Sequence, residues 1–322
     1  MRIGWLLLLG LCPAVFAATD LNLSAESGGL NAVVVSPGET VPYAIVGELS
    51  DADNLGLAMV AFDLSFSGGA LAQADTPSSM PMQNFAAPLG LSNPAGFGGT
   101  PSAGTLVQVG GAQNTINNFF APLPTGGVIT GIALPGAPQV LATGTLVAPL
   151  QVGTYVLAVD NVMANVLREG TTGDPFWAVD AAKVGTKTSL VIEVAALFTP
   201  LDTLSVAKIG KQPLHIDAGP SYAGRPYWML GTFTGTTPGI MLANGTHLPL
   251  NPSAYLNFTV SHPNSAVLSN SLGTLDASGQ ATAFFILPHV PPSVAGLVIH
   301  HAYVLLQPVD FASNAVEVTL VP

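Results

Sequence analysis

The stretch Ala58-Met59-Val60-Ala61-Phe62-Asp63-Leu64-Ser65-Phe66 decides the fold class. Val60, Phe62, Leu64 and Phe66 fall on one side of an extended chain, and Ala61, Asp63 and Ser65 on the other. An apolar set repeating every second residue makes a strand with one buried face. The same period recurs in Thr188 to Val194, where Leu190, Ile192 and Val194 oppose Ser189 and Glu193, and in Val316, Val318 and Leu320 against Glu317 and Thr319. Further strands are expected over 40–48, 140–147, 153–160, 226–233, 255–261, 281–287 and 297–307. Weaker ones are expected over 105–109 and 127–132 inside the bland stretch 68–136, which is too long for an ordinary hairpin connection. Asp276-Ala277-Ser278-Gly279 marks a turn, and helical spacing is confined to a turn or two at 114–120 and 161–167. Many short strands punctuated by 35 Gly and 27 Pro point to an all-β protein of sandwich type.

Composition narrows the function. Of 322 residues 8% are charged and 49% are hydrophobic, with a net charge of -11. Beyond Arg2 the cations are Arg168, Lys183, Lys187, Lys208, Lys211 and Arg225. Nucleic-acid binding neutralises several phosphates with a basic patch, so the sequence argues against that class, and against anionic membrane surfaces. Met1 to Ala17 reads as a cleaved signal peptide: Arg2 in the n-region, an apolar run from Ile3 to Leu11, and Val15-Phe16-Ala17 at the cleavage site. That run is shorter than the ~20 apolar residues a membrane span takes, and no later stretch is long enough. Cys12 is the one cysteine and lies in the signal, preceded by Leu11 rather than the small residue a lipoprotein site favours. The mature chain is therefore expected to be secreted and free of disulfides and thiolate chemistry.

About 305 residues then remain, enough for two domains. All six histidines (215, 247, 262, 289, 300 and 301) lie in the C-terminal third. The boundary is placed at Ala196 to Ser205, giving a signal at 1–17, a first domain at 18–195, a linker at 196–205 and a second, smaller sandwich at 206–322.

Within the first domain, Val35-Ser36-Pro37-Gly38-Glu39-Thr40-Val41 leads into Pro42-Tyr43-Ala44-Ile45. The strand Val60 to Phe66 follows, then Leu141-Ala142-Thr143-Gly144-Thr145-Leu146 and Gly153-Thr154-Tyr155-Val156-Leu157. In order and spacing this resembles a cohesin-like domain, a jelly-roll β-sandwich whose superfamily includes carbohydrate-binding modules. The resemblance implies a non-catalytic module that binds a protein partner. Residues from about Ser205 to Pro322 look like an uncharacterised module recurrent in secreted bacterial proteins. The matching stretches include His215-Ile216-Asp217-Ala218-Gly219-Pro220, Tyr227-Trp228-Met229-Leu230-Gly231, Asn270 to Asp276 and His300-His301-Ala302-Tyr303-Val304. That resemblance implies a secreted multidomain protein and no activity.

No catalytic residue is assigned. There is no Gly-x-Ser-x-Gly elbow, and Asp217 and Asp276 sit in turns, where Asp bonds its own backbone. A hydrolase remains the weakest alternative. His300 and His301 are adjacent on a strand and point to opposite faces, so they do not share a metal. Asp51-Ala52-Asp53-Asn54-Leu55-Gly56 begins like a calcium loop but has Leu55 and Phe62 where oxygen ligands are required. No metal and no cofactor are expected. The aromatics Phe176, Trp177, Tyr222 and Trp228 are the ligand-binding candidates, Phe176-Trp177 because they follow the turn Gly173-Asp174-Pro175. Tyr227 is a further ring of the same kind. The expected function is noncovalent adhesion or scaffolding at an extracellular or cell surface, through a protein partner. The alternative is a carbohydrate-binding module that reads a polysaccharide with loop aromatics. The sequons at Asn22, Asn244 and Asn257 matter only in a eukaryotic secretory route, which the sequence does not indicate.

Overall fold

The computed structural model describes residues 19–75, 98–112, 130–168 and 178–322. The described residues of its first half carry ten strands: β1 (Asp20–Glu26), β2 (Ala32–Val35), β3 (Thr40–Leu49), β4 (Leu57–Phe66), β5 (Gly98–Ser102), β6 (Thr105–Ala112), β7 (Gln139–Val147), β8 (Gly153–Arg168), β9 (Ala178–Thr188) and β10 (Leu190–Val194). They form a sandwich. The front layer runs β9-β1-β3-β7, and the back layer runs β5-β6-β4-β8-β10-β2. β9 belongs to both: Ala178 to Ala182 pair with the end of β8, and Lys183 to Thr188 run parallel to β1. The layers are held by the period-two sets. Leu21 and Leu23 from β1, and Tyr43 and Ile45 from β3, meet Phe62 and Leu64 from β4 in one buried cluster. The Ser36-Pro37-Gly38 turn forms as its residues require, with Gly38 at φ 77 and the Glu39 N–H donating to the Ser36 carbonyl (3.1 Å).

The second half carries β11 (Leu197–Phe198), β12 (Thr203–Ser205), β13 (Gly210–Asp217), β14 (Pro226–Thr232), β15 (Ile240–Met241), β16 (His247–Leu248), β17 (Leu268–Ser269), β18 (Leu272–Thr274), β19 (Gln280–Leu287), β20 (Val298–Leu305) and β21 (Val316–Val321), with one helix, α1 (Ala254–Ser261). One sheet is β11-β13-β19-β17 and the other β12-β21-β20-β14-β18. Leu214, Phe285, Met229 and Tyr303 fill the space between them. β14 and β20 are buried on both faces. Leu230, Ala302 and Val304 point away from that core and join Leu248 of the β15–β16 hairpin and Leu256 of α1. The chain is thus all-β in class, built as two β-sandwich units.

Several expectations change. Residues 255–261 were expected as a strand and form α1. Ser253 caps it, its hydroxyl accepting from the Leu256 N–H (3.0 Å). The β-branched Thr259 and Val260 disguise this helix in the sequence. Residues 161–167 were expected as a helical turn and instead extend β8 to sixteen residues. A bulge at Asn161, at φ 47, shifts the alternation by one and so mimics a helical period. The part of 127–132 that is described, from Thr130, is loop: Ile132 is buried and its carbonyl accepts from Leu57 (2.9 Å). The stretch 196–205, read as a linker, contains β11 and β12. Asn314 holds it, with Oδ1 accepting from the N–H groups of Ala196 (2.8 Å) and Leu197 (3.0 Å) and Nδ2 donating to the Leu197 carbonyl (2.8 Å). The expected signal at 1–17 and the helical turn at 114–120 lie outside the described residues.

Candidate functional site

The outward face of the back sheet gathers the features a binding surface needs. In β4 the inward side chains are Val60, Phe62, Leu64 and Phe66, which leaves Met59, Ala61, Asp63 and Ser65 outside. In β8, Leu157 and Val159 point in, so Val156, Ala158 and Asp160 point out; beyond the Asn161 bulge Ala164 and Val166 point in and Met163 points out. β10 adds Val191 and Glu193, and β2 adds Ala32 and Val34. Met163 is 58% exposed, Val34 58% and Val191 36%. Apolar side chains set in an outward sheet face, with water on them, are surface that gains free energy when covered.

Polar groups interrupt that apolar face in an ordered way. Asp63 and Asp160 are register partners across β4 and β8. Asp63 Oδ1 accepts from the Gln108 N–H (2.9 Å), and Oδ2 from Asn161 Nδ2 (2.7 Å). Asp160 Oδ2 accepts from Ser65 Oγ (3.0 Å), and Oδ1 lies 3.4 Å from Lys187 Nζ. Gln108 and Asn161 both have positive φ, 58 and 47, and each sits where a bulge turns it toward Asp63. Bulges re-aim side chains in this manner. The carboxylates are held in place by the chain's own donors, which leaves them oriented acceptors with remaining lone pairs.

The residues singled out in the sequence are scattered. Phe176 and Trp177 lie outside the described residues. Tyr222 is half-buried, its ring 5.1 Å from Phe311 and under the Arg225 guanidinium at 5.3 Å. Burial, with the nearby Asp310 carboxylate, raises its hydroxyl above the usual tyrosine range, and Arg225 opposes that. Trp228 is half-buried on the opposite side of β14, in the cluster with Leu230, and its Nε1 is buried without a partner. The structure does not bring these two rings together. Tyr227 is buried, its hydroxyl donating to the Asn270 carbonyl (2.9 Å).

The histidines divide as their strand parity requires. His300 faces out, 3.5 Å from Glu317 Oε2, while His301 points into the core, where Nε2 lies 3.1 Å from the Tyr255 hydroxyl. Burial, and then the neighbouring His300, push His301 down to about 3. His247, His300, Asp310 and Glu317 line a cleft of about 940 Å³ that Gln151 and Val152 also line. Among the described residues no three His, Cys, Asp or Glu side chains converge as metal ligands would.

The remaining acids are engaged locally. Asp276 accepts from the Ser278 (2.8 Å) and Gln280 (2.9 Å) N–H groups. Asp217 accepts from Ser36 Oγ (2.9 Å) and Gln280 Nε2 (2.9 Å). For Asp51, burial works to raise the carboxyl, but bonds from the Asp53 backbone, Ser50, Thr19 and Asn54 outweigh it and hold the group below its ordinary range.

Sequence reasoning missed Met163, Val191 and Val34 as a set. The β4 alternation already placed Asp63 outside, but its pairing with Asp160 depends on a register that only the fold reveals.

No protein-family model and no curated protein matches the chain. Among solved structures it is similar to the sixth cohesin of Acetivibrio cellulolyticus scaffoldin B, which was crystallised with a dockerin, at 15% identity and TM-score 0.32, covering 54% of this chain and 99% of that one. It is similar to a type II cohesin domain from the cellulosome of the same organism at 14% identity and TM-score 0.27, covering 55% and 95%. A C-terminal fragment of the major pilin of Streptococcus agalactiae aligns at 9% identity and TM-score 0.27, covering 94% and 91%. Likeness of fold does not transfer a partner, which belongs to the residues of a site.

Proposed function

We propose that this chain is a non-catalytic binding and scaffolding protein that holds a protein partner on the outward face of its back sheet. The observation that carries the reading is the exposed set Met163, Val191 and Val34 spread along one sheet face, with the fixed carboxylates Asp63 and Asp160 between Met163 and the Val191–Val34 pair. Interfaces between proteins combine exposed apolar side chains with oriented polar groups, and this face has both. An open sheet face also offers little concavity for a small ligand, which favours a macromolecular partner. The signal-like 1–17 supports work outside the cell, at an extracellular or cell surface. Among the described residues no helix is long and apolar enough to cross a membrane. The division into a first domain at 18–195 and a second at 206–322 is part of the same proposal, supported by the separate clusters around Phe62 and Tyr303.

The test is capture from the producing organism's secreted proteins on immobilised wild type and on the double variant Met163→Asp, Val191→Asp. Both positions are solvent-facing, so the variant keeps its circular dichroism spectrum and melting temperature. The reading expects a partner retained by wild type and lost by the variant. Capture that persists in the variant, or that soluble glycans compete away, sinks it.

A further inference from the structure

Sheet edges in this protein are guarded, with one exception among the described residues. β7 is bridged by Asp75, which exchanges backbone bonds with Thr143 (2.6 and 2.8 Å). β5 contains Pro101, and the Gly98 carbonyl accepts from Ala74 (2.9 Å). β9 carries Lys183 and Lys187 along its front-sheet half. In the second unit the edge strands β11, β12, β17 and β18 are two or three residues long. Bridges, prolines, lysines and short length are the usual devices that stop a sheet from accepting another strand. β2, at four residues longer than those short edges, has no bridge, proline or lysine: it reads Ala32-Val33-Val34-Val35, and among the described residues only β10 pairs with it.

The geometry of that edge is defined. Val191 N–H donates to the Asn31 carbonyl (2.7 Å), and Ala195 N–H to the Val35 carbonyl (2.9 Å). Residues 31, 33 and 35 therefore turn their backbone groups toward β10. By alternation Ala32 and Val34 turn N–H and C=O outward, where no described residue bonds them. The next outward donor, Ser36 N–H, is already taken by Glu39 Oε2 (2.9 Å). Four backbone groups remain open along four residues, about 13 Å of strand. Leu30, 61% exposed, and Val34 flank them. Glu193 stands opposite Val34 in register, exposed, with no partner among the described residues.

We infer that the open edge of β2 captures an extended, cationic segment of a partner protein by strand addition. The backbone of that segment pairs with Ala32 and Val34, and a Lys or Arg beside Val34 reaches Glu193. Two strand spacings, about 10 Å, separate the two backbones, a distance that a lysine and a glutamate side chain span together. A second copy of this chain is the other occupant with the right backbone. It would bring a second Glu193 and Glu39 to the same edge on a chain of net charge -11, and repulsion disfavours it. The inference deepens the protein-binding reading and rests on it. The capture assay reports the face through Met163 and Val191, and the assay below reports the edge through Ala32 and Val34, so either fails alone.

The probe is a six-residue peptide, acetyl-Thr-Val-Lys-Val-Thr-Val-amide, added to the isotope-labelled chain, with amide exchange read residue by residue. In the free protein Ala32 and Val34 exchange fast while Val33 and Val35 are protected. At saturating peptide, exchange at Ala32 and Val34 slows at least tenfold. Replacing the peptide lysine by glutamate weakens binding at least tenfold, and Glu193→Lys reverses that preference. Val34→Pro removes one outward N–H and no bond to β10, and abolishes binding. Unchanged exchange at Ala32 and Val34 overturns the inference, and so does equal binding of the two peptides. Protection that grows with protein concentration alone overturns it too, since it makes a second copy the occupant.

Discussion

Replacing His301 by Gln should change how stability depends on pH, by an amount the structure sets. His301 lies on β20, fully buried, with its ring 4.9 Å from Phe285 and 5.9 Å from Tyr255. Its Nδ1 has no partner in the core, so a proton there would bury an unbonded N–H together with a full charge. Burial first, and His300 second, lower its titration to about 3 in the fold. In the unfolded chain it titrates near about 6.5. As pH falls, the unfolded state takes the proton first, so His301 contributes full stability above about pH 6.5 and loses it progressively toward pH 3. The slope is about 1.4 kcal/mol per pH unit, and about 2.7 kcal/mol is lost by pH 4.5. Gln at 301 keeps an amide near the Tyr255 hydroxyl and does not titrate. Urea denaturation of both proteins from pH 7.5 to 4.5 gives the difference in stability, in which every other titrating group cancels. That difference should shrink with the stated slope below about pH 6.5. Parallel curves would show that His301 is not held neutral by the core and would refute the reasoning.

Three other outcomes follow from packing. Phe62→Ala removes a large side chain from the first core, where Phe62 is 1% exposed, and should cost about 3–5 kcal/mol by denaturant unfolding. Asn314→Ala removes all three bonds to Ala196 and Leu197 and should cost about 2–3 kcal/mol, with faster amide exchange at those two residues. Gly110→Ala should destabilise the back sheet by about 3 kcal/mol or more: Gly110 has φ 115, and an added Cβ would stand 2.2 Å from the Val60 carbonyl oxygen. A Gly110→Ala protein with an unchanged melting temperature would contradict that packing.

Much of the architecture was legible because burial and alternation coincide. β4 and β10 read directly from their sequences, since one face of each is core and the other is water. β1 alternates cleanly, with Leu21, Leu23 and Ala25 inward and Asn22 and Ser24 outward, whereas Gln212 and Pro213 blur the pattern of β13, and Gln212 is fully buried. Its Nε2 donates to the carbonyls of Leu201 (2.9 Å) and Glu317 (3.2 Å), a tertiary arrangement that no local period reveals. β8 was half legible because the Asn161 bulge breaks its period. The helix at 254–261 was hidden because a single Ser253 cap outweighs its β-branched residues. The candidate surface was the least legible part. Val34 and Val191 come from two strands and become diagonal neighbours only through the β10–β2 pairing, Met163 lies seven residues along β8 from Val156, the register partner of Val191, and an open edge is a property of topology rather than of any residue in it.

The account turns on where a partner sits. Methyl-resolved NMR of the chain, with and without a protein captured by the wild type, measures that directly. The methyl groups of Met163, Val191 and Val34 should shift or broaden together, while those around the His247–His300 cleft and near Tyr222 and Trp228 stay in place. Shifts confined to that cleft or to those rings, with the back-sheet methyls unmoved, would contradict it.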